Sequence, residues 1–117
     1  MNITSKVVGV TYEGRQEIIE KLLGNEPCRI IPEPSNPYDV NALAVYVAKD
    51  EGIFQVGYLP RELAARVAPL LDGEAVMVNI LEITGGFEKW DGSRASLGVL
   101  VSIELPPESE DTPTFPA

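Results

Sequence analysis

The chain has 117 residues, a net charge of −9, no histidine and a single cysteine, Cys28. That length suits one domain with one core, and 44 % apolar with 23 % charged residues is the balance of a globular protein. An internal disulfide, a Cys/His zinc centre and His-dependent nucleophilic catalysis are excluded for want of residues, and the acidic balance argues against a general nucleic-acid coat protein.

The first expected strand covers residues 6–12, where Val8, Val10 and Tyr12 alternate with Gly9 and Thr11. A helix follows over Arg15–Leu23, with Ile18, Ile19, Leu22 and Leu23 on one face and a Glu17–Lys21 pair opposite. Gly24-Asn25 ends it. Cys28 lies in an apolar stretch, where it reads as a buried structural thiol. Arg29-Ile30-Ile31 opens a second strand, which the prolines at 32, 34 and 37 stop.

Ala42–Lys49 reads as a third strand, turning through Asp50-Glu51-Gly52 into a fourth, Ile53–Leu59. Pro60 suits the first position of a second helix, along which Leu63, Val67 and Leu70 recur. Pro69 is expected to kink or end that helix, and Asp72-Gly73 to close it. A long fifth strand spans Glu74–Thr84, a glycine-flanked loop with Phe87 and Trp90 spans 85–92, and a sixth strand spans Ser96–Leu105.

Residues 106–117 are rich in proline and acid and are expected to form a disordered tail; Glu108, Glu110 and Asp111 lie there, leaving −6 on residues 1–107. The start lacks the apolar core of a signal peptide, and no run approaches the roughly 20 apolar residues of a membrane helix. The expectation is a cytoplasmic protein: a single domain over 1–105, mainly β with two short helices, its six antiparallel strands curled into a small OB/SH3-like barrel.

One segment concentrates turn chemistry. In Asn36-Pro37-Tyr38-Asp39-Val40-Asn41, Pro37 fixes its own φ and restrains Asn36, while Asp39 and Asn41 are suited to Asx turns. A rigid loop that projects Tyr38 follows. Taken alone, such a turn reads as structural.

The wider pattern shifts that balance. Val8-Gly9-Val10-Thr11-Tyr12, then Glu33-Pro34-Ser35-Asn36-Pro37-Tyr38-Asp39-Val40-Asn41-Ala42-Leu43-Ala44-Val45, then Gln55-Val56-Gly57-Tyr58-Leu59-Pro60-Arg61-Glu62-Leu63-Ala64 together resemble a HIRAN domain over about residues 6–105. The middle block is the specific one. The resemblance implies an OB-like barrel, a free-standing bacterial type of member, and recognition of the 3′-hydroxyl end of single-stranded DNA in repair or stalled-fork processing.

On that reading Tyr38 and Tyr12 stack on bases, and Asp39 accepts the terminal hydroxyl. Asn36 and Asn41 order the loop or touch the base, Arg61 clamps a phosphate, and Tyr58 adds a phosphate or stacking contact. Blander roles stand beside these: Tyr12 and Tyr58 also suit a core, Arg61 a solvated helix turn, and Asn41 a purely turn-stabilising part.

The DNA-end-binding members carry a basic residue and two aromatics where this chain has Thr11-Tyr12-Glu13. Weaker DNA binding or a changed ligand is therefore expected, with Phe87 or Trp90 as replacement rings.

The alternative is a protein-interaction or accessory module that serves a helicase, nuclease or other partner without binding DNA. An enzyme is the weakest reading, since neither a Walker motif nor a recognisable metal-ligand spacing is present. No cofactor is expected.

Overall fold

Alternate apolar positions give the strands their inward faces. In β6 (Gly98–Glu104), Val99, Val101 and Ile103 are buried while the residues between them are not. The strands β2 (Cys28–Pro32) and β3 (Leu43–Lys49) pair antiparallel, with Cys28 opposite Val47 and Ile30 opposite Val45, all four buried. β4 (Gly52–Tyr58) returns from β3 through Asp50 and Glu51, which both have positive φ, as a tight hairpin turn with the twist of its strands requires.

With β1 (Asn2–Lys6) and β5 (Val76–Thr84), these strands form one antiparallel sheet in the order β1-β6-β5-β2-β3-β4. Two helices, α1 (Arg15–Glu20) and α2 (Arg61–Leu71), feed Ile19, Ala64, Val67 and Leu71 into the same core. The computed structural model describes residues 2–105; the expected tail, 106–117, lies outside the described residues. Among the described residues, no helix is long and apolar enough to cross a membrane.

The expected class holds: mainly β, with six antiparallel strands and two helices. The sheet, however, is not closed into a barrel; β1 and β4 are its edges. The gap between them is spanned just beyond β1. There the Val8 N–H donates to Tyr58 O (2.7 Å), and the Tyr58 N–H donates to Val8 O (2.9 Å). One residue earlier, the Val7 N–H still donates to Val99 O on β6 (2.9 Å), so the chain crosses from one edge strand's neighbour to the other edge in two residues.

Several expected boundaries move. The first strand is residues 2–6 and not 6–12, because pairing with β6, from Asn2–Glu104 to Lys6–Leu100, imposes extension on a segment with little hydrophobic signal. The alternation at Val8, Val10 and Tyr12 is broken by Gly9, whose φ of 72° turns the chain out of the sheet.

Helix α1 stops at Glu20 and not at Leu23. Its last turn tightens, with the Lys21 and Leu22 N–H groups bonding three residues back, and the Glu26 carboxylate takes the Leu23 and Gly24 N–H groups at 2.7 and 2.9 Å. Leu23, expected on the apolar face, is thereby left exposed.

Pro60 is the N-cap of α2 and not its first helical residue; its carbonyl accepts the Ala64 N–H at 2.8 Å. Pro69 lies inside α2 and does not end it; the helix runs on to Leu71, and the left-handed Asp72 and Gly73 stop it there.

Two consequences are measurable. A Cβ on Gly57 would overlap Val8 O and lie 2.6 Å from Val7 Cγ1, so Gly57→Ala must push open the Val8–Tyr58 bridge. It should cost about 2–3 kcal/mol in urea unfolding. Burial pushes the Cys28 thiol up to about 12. Iodoacetamide should therefore leave Cys28 unmodified in the native protein under conditions that alkylate it once the chain is unfolded.

Candidate nucleic-acid interface

The connection between β2 and β3 is held by its own polar side chains. The Glu33 N–H donates to Ala42 O (2.9 Å), joining the two ends of the connection. Inside it, Asn36 Oδ1 accepts the N–H groups of Tyr38 (2.8 Å) and Asp39 (3.1 Å), and Asn36 Nδ2 donates to Glu33 Oε1 (3.0 Å). Asp39 Oδ1 accepts the Asn41 N–H at 2.9 Å. The Asx turn expected at Asp39 forms, but its companion is at Asn36 and not at Asn41, which takes part through its N–H alone. With the backbone so pinned, the Tyr38 ring stands 85 % exposed.

The neighbouring wall is the segment that leaves the sheet at Gly9. Tyr12 lies on this loop and not on a strand; its carbonyl accepts the Arg15 N–H at 3.0 Å, and the residue is 66 % exposed. Arg15 begins α1 yet is only 6 % exposed. Its Nη1 donates to Gly9 O (2.7 Å), its Nη2 to Glu13 Oε1 (3.2 Å), and its guanidinium lies over the Tyr58 ring, 5.6 Å from the centroid.

Tyr58, at the end of β4, donates its hydroxyl to Glu33 Oε1 at 3.0 Å. Glu33 therefore ties the floor residue Tyr58 to the turn residue Asn36. Close by, burial, reinforced by the Glu33 carboxylate, pushes the Tyr46 phenol above its ordinary range.

Between these walls lies a cleft of about 1320 Å³. It brings together Tyr12, Asn36, Tyr38, Asp39, Tyr58 and Arg61. Asn41 is not among its lining residues and acts within the turn, through its N–H to Asp39.

Arg61, at the start of α2, is turned toward the loop: its Nε lies 3.8 Å from Asp39 Oδ2, and its Nη2 donates to Tyr38 O at 3.4 Å. The two carboxylate oxygens of Asp39 thus have different surroundings. Oδ1 serves the turn, while among the described residues Oδ2 has only a long contact to an exposed guanidinium. Tyr58 has its hydroxyl and one ring face already engaged, which leaves Tyr38 and Tyr12 as the exposed rings of the cleft.

Sequence reasoning missed Arg15 and gave Glu33 no role. Glu33 carried a signal, since it opens the Glu-Pro-x-Asn-Pro-Tyr-Asp block. Arg15 carried none, because the basic group was sought at Thr11, and only the turn after Gly9 folds Arg15 back into the cleft. Phe87 and Trp90 do not line the cleft. They sit on an ordered hairpin tip, where the Lys89 N–H donates to Ser93 O (2.6 Å) and Asp91 Oδ1 accepts both the N–H and the hydroxyl of Ser93. They do not supply the replacement ring expected there.

Asn36→Ala removes the acceptor of two backbone N–H groups at once. It should lower stability by about 1–2 kcal/mol, with faster hydrogen exchange confined to the amides of Tyr38 and Asp39.

The geometry can be set beside known proteins. An Arabidopsis thaliana protein named as a SWI/SNF-related matrix-associated actin-dependent regulator of chromatin, subfamily A member 3-like 1, is 34 % identical over 77 residues, or 65 % of this chain. The helicase-like transcription factor of Oryctolagus cuniculus is 41 % identical over 54 residues, or 46 % of this chain. The matched regions make up only 8 % and 5 % of those proteins. The crystal structure of the HIRAN domain of human HLTF superposes with a TM-score of 0.49 at 26 % identity, covering 86 % of this chain and 74 % of that one. The HIRAN domain family model matches residues 2–105, the whole of the described chain, and the protein belongs to the HIRAN domain family.

Proposed function

We propose that this chain is a single-stranded DNA-binding module whose cleft receives the 3′-hydroxyl end of a strand. The observation that carries the reading is the pairing of Tyr38 with Asp39 on a turn that Asn36 holds rigid. An exposed ring on a fixed backbone is a stacking platform for an unpaired base, worth about 1–3 kcal/mol. Tyr12 on the facing loop offers a second ring.

Asp39 Oδ2 can accept the hydrogen bond of a terminal hydroxyl. The same charge repels the phosphodiester that would stand there in an unbroken strand, so one carboxylate both attracts the end and disfavours the middle. Family membership supports this reading, as does the kinship with a helicase-like transcription factor and a chromatin regulator. The module is a binder and not an enzyme, and it works in repair or fork processing beside a helicase or nuclease in the cytoplasm.

The second reading, a protein-interaction module without DNA binding, is favoured by the net charge of −9 and by Trp90, 98 % exposed on its ordered hairpin tip.

Fluorescence anisotropy with labelled single strands separates the two. Strands ending in a 3′-hydroxyl should bind about tenfold more tightly than 3′-phosphorylated ones. Tyr38→Ala should weaken binding about tenfold or more. Asp39→Asn keeps an acceptor for the Asn41 N–H but removes the charge, so it should narrow the difference between the two ends without unfolding the loop. Equal binding of both ends at low salt would sink the end-recognition reading, and no binding of any strand would favour the protein-interaction module.

A further inference from the structure

The cleft holds a buried cation whose exposed partner is an acid. Arg15 is fixed on three sides: Nη1 on Gly9 O, the guanidinium plane over Tyr58, and its backbone N–H on Tyr12 O. Only Nη2 is turned to a solvated group, the Glu13 carboxylate at 3.2 Å, whose side chain is 78 % exposed. Glu13 is held beside it by a left-handed backbone, with φ of 56°, and both residues line the cleft.

We propose that Glu13 and Arg15 form a displaceable latch: the phosphate of a bound strand takes Arg15 Nη2 from Glu13, and Glu13 sets how tightly the cleft holds its ligand. This rests on the reading of the cleft as a single-strand site.

The asymmetry of the pair is what makes it an exchange site. Arg15 stays, because its own side chain is buried and is held by Gly9 O and the Tyr58 ring. Glu13 can leave, because an exposed carboxylate returns to water at little cost. A phosphodiester oxygen offers the guanidinium the same charge-assisted hydrogen bond. The arginine is thus already oriented, and the acid competes with the ligand. The other lining charges are Glu33 and Asp39, which serve Tyr58 and the turn, and Arg61, which leans on Asp39. Arg61 is the exposed cation of the cleft, with long contacts only; Arg15 is the one already oriented, and the only thing that stands between its Nη2 and an incoming phosphate is Glu13.

The test compares the full chain, Glu13→Gln and the control Glu20→Gln, in which an exposed acid on α1 away from the cleft lining is neutralised. Each is titrated with a labelled single strand ending in a 3′-hydroxyl across a range of salt. Glu13→Gln should bind about fivefold more tightly at low salt, and the gain should shrink as salt is raised, because the competition it removes is between charges at the cleft surface. Glu20→Gln should give no comparable gain.

Wild-type binding that Glu13→Gln leaves unchanged or weakens would overturn the latch and leave the site standing. Equal gains in both variants would reduce the effect to overall charge and overturn it as well. If neither wild type nor Glu13→Gln binds any strand, the latch falls together with the reading of the cleft.

Discussion

The two hydrogen bonds between Val8 and Tyr58 are the constraint on which the functional end of this molecule depends. The sheet leaves β1 and β4 as edges, and unpaired edges are exposed backbone. By reaching β4 at this one position, the chain after β1 gives its next residues a fixed starting point. Gly9 then turns away, Tyr12 is carried to the rim, and Arg15 is brought back over the ring of the residue that Val8 has paired. Without the bridge, the loop and the β2–β3 turn would be two separate surface features. With it, they face each other across a cleft.

The polar groups of that cleft form a chain of obligations. Glu33 Oε1 accepts from both Tyr58 and Asn36; Asn36 holds the backbone of Tyr38 and Asp39; Asp39 holds Asn41 and leans on Arg61. Among the described residues, no buried side-chain nitrogen or oxygen is left without a partner. This matters because an unsatisfied polar group under a cleft costs about 1–3 kcal/mol, comparable to what a stacked base returns. Among the described residues that line the cleft, the rings of Tyr38 and Tyr12 remain exposed and uncommitted.

Much of this was legible from residues alone. The inward alternation of Val99, Val101 and Ile103, the Asp50-Glu51-Gly52 turn, the Asp72-Gly73 stop and the Asx turn of Asp39 are local properties, and each appears where its chemistry places it. What escaped was set by particular partners, near or distant, that residue patterns do not reveal. β1 is extended because β6 pairs with it, a hundred residues away, and its own residues carry little signal. α1 is cut short by Glu26, a residue beyond its expected end. Arg15 looked like an ordinary helix start, and only the left-handed turn at Gly9 makes it part of the cleft. The middle block pointed to a turn that lines the cleft, but the wall facing it depends on how the chain leaves the sheet.

The rigidity of the Asn36 turn also bears on time as well as affinity. A loop whose backbone is already bonded into one shape has no ordering step to complete when a ligand arrives. Encounter is then limited by diffusion and orientation, and variants of the cleft would differ mainly in residence time. On the proposed reading, such a module would sample many strands quickly and keep those whose ends fit, with its discrimination in how long it holds on.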